Sequence, residues 1–353
     1  MDNDIAIGVE DACGVIRLER PQAINALTPD MIGAVLDALH DWADDPRIGA
    51  VLIEGAGEKG LCAGGDVRLT REMALAGKRR EVFAFFADEY EMNGLIATYD
   101  KPIVALQHGI VMGGGIGVSS HARYRVATRE ARFAMPEAAI GFFCDVGVNA
   151  LLYKAPQARA LAFLMSGQPV GVADAIALGL SDAAVEPANL AATRNRLVEA
   201  AQASEPDTAI AAIIQGESVD PGAAQFCDLA DTLETIFLAD DVQDILEHLL
   251  DFSEDGDPGA AALNAAIVRH CPTSLAAIVA SHRLARRQRD VKAILATDLA
   301  LARYLSMRSD FAEGVRAVLV DKDRAPKWAP ARIDDVDRAA LTEILLTGQA
   351  ELA

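Results

Sequence analysis

Cationic residues are scarce here: 32 Lys and Arg stand against 52 Asp and Glu, a formal net charge of −20 at pH 7. Nucleic acids and anionic membranes are bound through a cationic footprint, so neither is an expected partner. The basic groups that do cluster are Arg68, the Lys78-Arg79-Arg80 triplet, and the series Arg283, Arg286, Arg287, Arg289 and Lys292. They read first as solvated helix faces and second as local patches for an anionic ligand.

Cysteine is also sparse. Cys13, Cys62, Cys144, Cys227 and Cys271 are odd in number, widely scattered and without CxxC spacing, which argues against a disulfide framework or a zinc site and suggests reduced thiols. The six histidines show no HExxH or other ligand spacing, so no metal is expected. His108 and His121 flank a glycine run, where they read as structural groups or as support for a site. No apolar run reaches the roughly 18 residues of a membrane span. The beginning, MDNDIAIGVEDACG, has neither a basic region nor an apolar one of signal-peptide type. The expectation is a bacterial-type cytoplasmic protein, or a mature mitochondrial matrix form whose transit peptide has been removed.

What is present is enough apolar material for a large core: 52% of 353 residues, room for one large domain and a smaller one. The stretch Lys101 to Gly147 concentrates the chemistry. PIVALQHGIVM reads as one buried strand running into Gly113-Gly114-Gly115. Glycines at a strand-to-helix junction allow close backbone approach, and the first N–H groups of a helix point outward unpaired, suiting a phosphate or an oxyanion. The run GGGIG lacks the GxGxxG context and the downstream ribose acid, so a dinucleotide site is rejected. Beyond it come short strands at Tyr124–Ala127 and Arg132–Met135, then Glu137 and Asp145, eight residues apart among Met135, Ala138, Ile140, Phe142, Phe143 and Val146. Burial among such neighbours would raise a carboxylate's pKa. Each acid has a plainer reading: Glu137 as a helix-start charge after Pro136, and Asp145 as an N-cap.

Before this stretch, Ile5–Val9 and Gly14–Glu19 read as a hairpin. Thr28 caps a helix with Pro29 at its first position and Ile32, Val35, Leu36, Leu39 and Trp42 on one face. A strand over Ala50–Glu54 follows. A second glycine turn, Leu61 to Asp66, precedes a helix read as continuous from Val67 to Tyr99. Two such turns could supply two N–H donors to one oxygen. After Pro187 the chain is helical. Helices are expected near Asn189–Ala203, Ala223–Leu238, Asp241–Asp251, Ala260–His270, Ser274–Arg287 and Asp290–Ser306, with another turn beginning at Phe311.

The order strand, AGGD turn, long helix, KPIVALQHGIVMGGGIG, FAMPEAAIG resembles the crotonase (enoyl-CoA hydratase/isomerase) superfamily. The resemblance implies an α/β fold with a crotonase-like ββα spiral core over residues 1–203. A mainly helical region over 204–353 would cover the site or form subunit contacts, as in a homo-oligomer. It also implies an acyl-CoA substrate whose thioester carbonyl sits between the backbone N–H groups of Gly65 and Gly114, and no cofactor apart from the substrate's own coenzyme A.

Within the family, hydratases carry a glutamate three residues after the middle glycine and another in the PE turn. Here the first position is Gly117, so only Glu137 remains. Asp145 stands where hydratases have glycine, an arrangement that resembles the 3-hydroxyisobutyryl-CoA hydrolase branch, as do FFADEYEMN, CPTSLAAIV and the segment Ser309 to Trp328. That branch implies hydrolysis of a 3-hydroxyacyl thioester in valine breakdown, with Glu137 and Asp145 catalytic and Glu89 contacting substrate. Glu137 could attack the carbonyl or activate water. Two departures stand out: the branch commonly has PDVGG where this chain has CDVGV, so that Cys144 replaces proline and Val148 glycine in the loop that aims Asp145, and an aromatic, proline-bearing run where this chain has NALLYKAP. A thiol nucleophile at Cys144 is a remote alternative, since no histidine is near it in sequence. Isomerisation or hydration through Glu137 alone, and non-catalytic acyl-CoA binding, are the rival functions.

Overall fold

The computed structural model describes residues 4–239 and 241–350. The chain forms two compact units that are interleaved in sequence: residues 1–65, 91–133 and 170–224 make the first, and residues 66–90, 134–169 and 225–353 the second. They do not divide at residues 203/204, where the two regions were expected to meet; the helix Pro206–Glu217 belongs to the first unit.

The first unit is built on a six-stranded sheet, with β1 (Ile5–Glu10), β2 (Cys13–Leu18), β3 (Ala50–Gly55), β4 (Ile103–Gln107), β6 (Tyr124–Thr128) and β8 (Ala183–Val185) in that spatial order. β1 and β2 form the expected antiparallel hairpin, and every later pairing is parallel. Parallel strands are covered on both faces and therefore read as apolar runs. One face of this sheet, with Val15, Leu52, Val104, Leu106, Val126 and Val185, packs on Leu197, Val198, Ile210 and Ile214. These come from the helices Leu190–Ala200 and Pro206–Glu217. The helix Pro29–Ala43 starts as expected, with Thr28 Oγ1 accepting from the Met31 N–H at 3.3 Å, and Trp42 is buried in the core.

The stretch read as one strand, PIVALQHGIVM, is two. β4 ends at Gln107, Gly109 takes φ +51, and β5 (Ile110–Met112) pairs with β7 (Arg132–Ala134) in a separate two-stranded sheet. This bend aims the chain into Gly113 and the helix Gly114–Ser120.

The second unit is mainly helical. Asp66 caps the helix Val67–Leu75 by accepting from the Leu69 N–H at 3.1 Å. The expected helix from Val67 to Tyr99 breaks at Gly77, which takes φ +72, and resumes as Arg79–Ala97, whose residues from 91 onward belong to the first unit. The expected helix Ala223–Leu238 is likewise two, Gln225–Thr232 and Glu234–Phe237. The helix Pro272–Gln288 is buried along most of its length, and Val291–Leu305 begins at Asp290, whose carboxylate accepts from the Ala293 N–H at 2.8 Å.

Candidate active site

Glu137 opens a 3-10 turn, Glu137–Ile140, immediately after Pro136, so its plainer reading as a helix-start acid is right about the backbone. It does not describe the side chain, which is only 8% exposed, with Oε2 lacking a protein hydrogen-bond partner. The turn is closed by Gly141 at φ +72, where a Cβ would lie 2.3 Å from the Asp310 carbonyl oxygen; only glycine fits. Beyond it, the Phe142 ring stacks on Phe86 at 5.1 Å and meets Phe311 at 5.5 Å.

Asp145 is 5% exposed and caps nothing: the short helix Asn149–Leu152 has Val148 at its N-cap position, with no side-chain bond. Its Oδ2 accepts from the Tyr90 hydroxyl at 2.5 Å. The loop that presents it is bent by two consecutive left-handed residues, Val146 at φ +55 and Gly147 at φ +68. A β-branched residue in this region is an outlier that needs support from its surroundings. Part of that support comes from Asp298 on the helix Val291–Leu305, whose Oδ2 accepts the Gly147 N–H at 2.9 Å. The two substitutions in this loop are accommodated locally. Val148 has φ −55, open to any residue, and the Cys144 thiol is buried and donates to the carbonyls of Met135 and Leu164 at 3.7 and 3.5 Å.

Four buried carboxyl groups therefore share this part of the second unit: Glu89, Glu137, Asp145 and Asp298. Burial pushes Asp145 up to about 7, against which the Tyr90 hydrogen bond pulls it down. Glu89, Glu137 and Asp298 are held well above the usual carboxylate range, first by burial and then by the charge of Asp145. Asp145 and Glu137 each have a side-chain donor that opposes this rise, the Tyr90 hydroxyl and the Cys144 thiol respectively. Burial also drives the Cys144 thiol well above its ordinary value, with the charges of Glu137 and Asp145 adding to the effect. A thiolate nucleophile is disfavoured there.

In the first unit the two glycine turns meet as expected. A Cβ on Gly64 would lie 3.5 Å from the Gly114 nitrogen. Gly113, ahead of the helix Gly114–Ser120, makes no side-chain cap bond, and the first N–H groups of a helix have no intrahelical acceptor. Cys62 and Met112 join the turns through the Met112 N–H to the Cys62 carbonyl at 3.0 Å. Their close approach makes glycine obligatory at 115, where a Cβ would stand 2.3 Å from that same carbonyl oxygen. Gly65 bridges Leu27 in parallel register.

The sequence reading missed Tyr90 and Asp298. Tyr90 follows a residue already singled out, yet its partner is 55 positions away. Asp298 left a clearer trace, an acid among Ile294, Leu295, Leu301 and Ala302 on the buried side of its helix. Of the histidines, His108 bonds the Gly57 carbonyl at 2.9 Å, and His282 bonds Asn149 at 2.9 Å with its pKa lowered by burial to about 3. The Arg283 to Arg289 series is partly structural: Arg286 donates to the carbonyls of Tyr153 and Ala155 at 3.2 and 3.0 Å.

Parallel strands leading into paired glycine turns, with buried acids on the following segments, define an α/β scaffold of the acyl-CoA-processing kind. The profile of the family described as Enoyl-CoA hydratase/isomerase matches residues 13–345, and the chain belongs to that family. Among curated relatives it is similar to the human "3-hydroxyisobutyryl-CoA hydrolase, mitochondrial", at 34% identity over 338 residues, covering 94% of this chain and 86% of the relative. The protein of the same name from Danio rerio is 35% identical over 326 residues, with 92% and 84% covered. Among solved structures, a carnitinyl-CoA dehydratase from Mycobacterium thermoresistibile superposes with a TM-score of 0.89 at 33% identity, covering 98% of this chain and 96% of that one. An enoyl-CoA hydratase from Rhodobacter sphaeroides gives 0.88 at 31%, with 97% of each chain covered. The names on the two kinds of relative differ at nearly equal identity, so likeness fixes the scaffold and the individual residues must decide the reaction.

Proposed function

We infer that this enzyme is an acyl-CoA thioester hydrolase acting on a short-chain 3-hydroxyacyl-CoA, with 3-hydroxyisobutyryl-CoA, of valine breakdown, as the substrate the relatives favour. The observation that carries the reading is the pair Glu137 and Asp145, both buried, with glycine at position 117 where hydration would need a second glutamate. The cytoplasm, and a reaction needing no cofactor besides the substrate's coenzyme A, belong to the same proposal.

In this reading the thioester oxygen sits between the N–H groups of Gly65 and Gly114, which stabilise the oxyanion; losing one such donor typically costs about 2.7–4 kcal/mol. That this carbonyl is also the one reached by the two acids is carried over from the family's arrangement. Near neutrality Glu137 and Asp145 hold one negative charge between them, because two buried carboxylates in mutual reach cannot both ionise cheaply. When the shared proton is on Asp145, the Glu137 carboxylate either takes a proton from water, which attacks, or attacks the carbonyl itself to form an anhydride. Collapse of the tetrahedral intermediate expels the thiolate, and the proton on Asp145 goes to sulfur. In the anhydride route water then opens the anhydride, at the acyl carbon or at the Glu137 carboxyl carbon, which frees the acid and restores Glu137.

Replacing Glu137 by glutamine tests the assignment. Release of free coenzyme A from 3-hydroxyisobutyryl-CoA, followed with a thiol reagent, should fall by about three orders of magnitude or more, while substrate still binds. Undiminished release by the variant would remove Glu137 from the chemistry. Single-turnover hydrolysis in oxygen-18 water tests the anhydride route, since label in Glu137 comes only from an anhydride that water opens at the Glu137 carboxyl carbon.

A further inference from the structure

The helix Arg79–Ala97 carries a second polar group on the face that presents Glu89. Asn93 lies four residues further on, and positions i and i+4 are neighbours on one helix face. Asn93 is fully buried, and neither Nδ2 nor Oδ1 has a protein hydrogen-bond partner among the described residues; one turn earlier, Glu89 Oε1 is in the same condition. Of the other buried positions of this helix, Val82, Phe85, Phe86, Met92 and Ile96 are apolar, and Tyr90 spends its hydroxyl on Asp145. An unpaired carboxamide in such surroundings is costly, and asparagine is a poorer helix former than leucine or alanine, so neither packing nor propensity accounts for it. Both polar atoms are thereby available to a ligand.

The chemistry of that ligand follows from the amide, which offers donors at nitrogen and an acceptor at oxygen. A thioester carbonyl only accepts, an alkyl group does neither, and a leaving thiolate only accepts. A hydroxyl both donates and accepts. We propose that Asn93 is a specificity-determining residue that hydrogen-bonds the hydroxyl of the substrate's acyl chain, donating through Nδ2 and accepting through Oδ1. The proposal deepens the hydrolase reading and rests on it for the identity of the substrate. It adds a residue that selects hydroxylated acyl groups over their deoxy counterparts, since a site built to bond a hydroxyl leaves its own polar groups unpaired when the analogue lacks one.

The test compares 3-hydroxyisobutyryl-CoA with isobutyryl-CoA in the wild type, N93A and N93S. The wild type should prefer the hydroxylated thioester in kcat/KM, and N93A should lower that preference about tenfold or more while leaving isobutyryl-CoA turnover within about threefold. N93S, which keeps a donor and an acceptor, should retain part of the preference and serves if N93A does not fold. An equal loss on both thioesters, or an unchanged preference, overturns the proposal and makes the amide a structural group or a water site. The same ratio is measured by calorimetry with non-hydrolysable thioether analogues of the two acyl-CoAs. If the wild type releases no thiol from either thioester, the hydrolase reading fails, while an Asn93-dependent binding ratio would still support hydroxyl recognition; loss of that ratio would reject it.

Discussion

The hydroxyl of Tyr90 donates to Oδ2 of Asp145 at 2.5 Å, tying the helix that carries Glu89 to the loop that carries the second candidate acid. Burial holds the Tyr90 phenol well above its ordinary pKa, so it remains a donor throughout the working pH range. It stabilises the ionised form of Asp145 and pulls that group down against the burial that pushes it up to about 7. Tyr90→Phe should therefore raise the titration. A hydrogen bond to a charged group is worth about 1.5–3 kcal/mol, so the acid limb of kcat/KM should move to higher pH by about one to two units. A pH–rate profile checks it; an unmoved limb with lower activity throughout would make Tyr90 a packing residue only.

Asp298 should reveal itself through the pH dependence of stability. Its folded pKa lies above its unfolded value, so the group favours folding below the unfolded pKa, and that contribution is lost as pH rises towards the folded pKa. Asp298→Asn keeps an oxygen for the Gly147 N–H and removes the titration. The variant should match the wild type in melting temperature near pH 4 and exceed it increasingly towards pH 8. A gap that is constant with pH would contradict the assignment.

Asp298→Ala separates anchoring from charge. It leaves the Gly147 amide unpaired and the left-handed Val146-Gly147 bend without its acceptor, a loss of about 1–3 kcal/mol. Turnover should fall about tenfold or more, whereas Asp298→Asn should stay within a few-fold of the wild type. Steady-state kinetics of the two variants side by side decides the point.

Gly115→Ala should damage the proposed oxyanion site without touching a carboxylate. The added methyl meets the Cys62 carbonyl at 2.3 Å, and backbone must give way, at about 1–3 kcal/mol of stability. The displacement falls between the turns that carry Gly65 and Gly114, so turnover should drop by more than the fraction unfolded explains. Chemical denaturation and kcat, measured together, test it.

Cys144→Ala should retain turnover within about fivefold, and the wild type should resist iodoacetamide, because the thiol is buried and held protonated. Rapid inactivation by the reagent would revive the thiol chemistry.

Local signals carried much of this structure. The hairpin, the Thr28 cap, the glycine turns and the burial of Glu137 and Asp145 all follow from patterns within a few residues. At two of the places where the reading slipped, a glycine in a left-handed conformation was responsible: Gly109 splits an apolar run into two strands of different sheets, and Gly77 splits a continuous helical pattern. Periodicity does not register a break that leaves composition unchanged on both sides. Tyr90 and Asp298 were hidden for another reason. Their roles come from contacts 55 and 151 residues away along the chain, and nothing in their own neighbourhoods names those partners.

The most direct test of the hydrolase reading presents the purified enzyme with 3-hydroxyisobutyryl-CoA and, separately, with the matching enoyl-CoA. The account predicts stoichiometric release of coenzyme A and free acid from the first and no water addition to the second. Hydration of the enoyl thioester with no thiol released from either would contradict it.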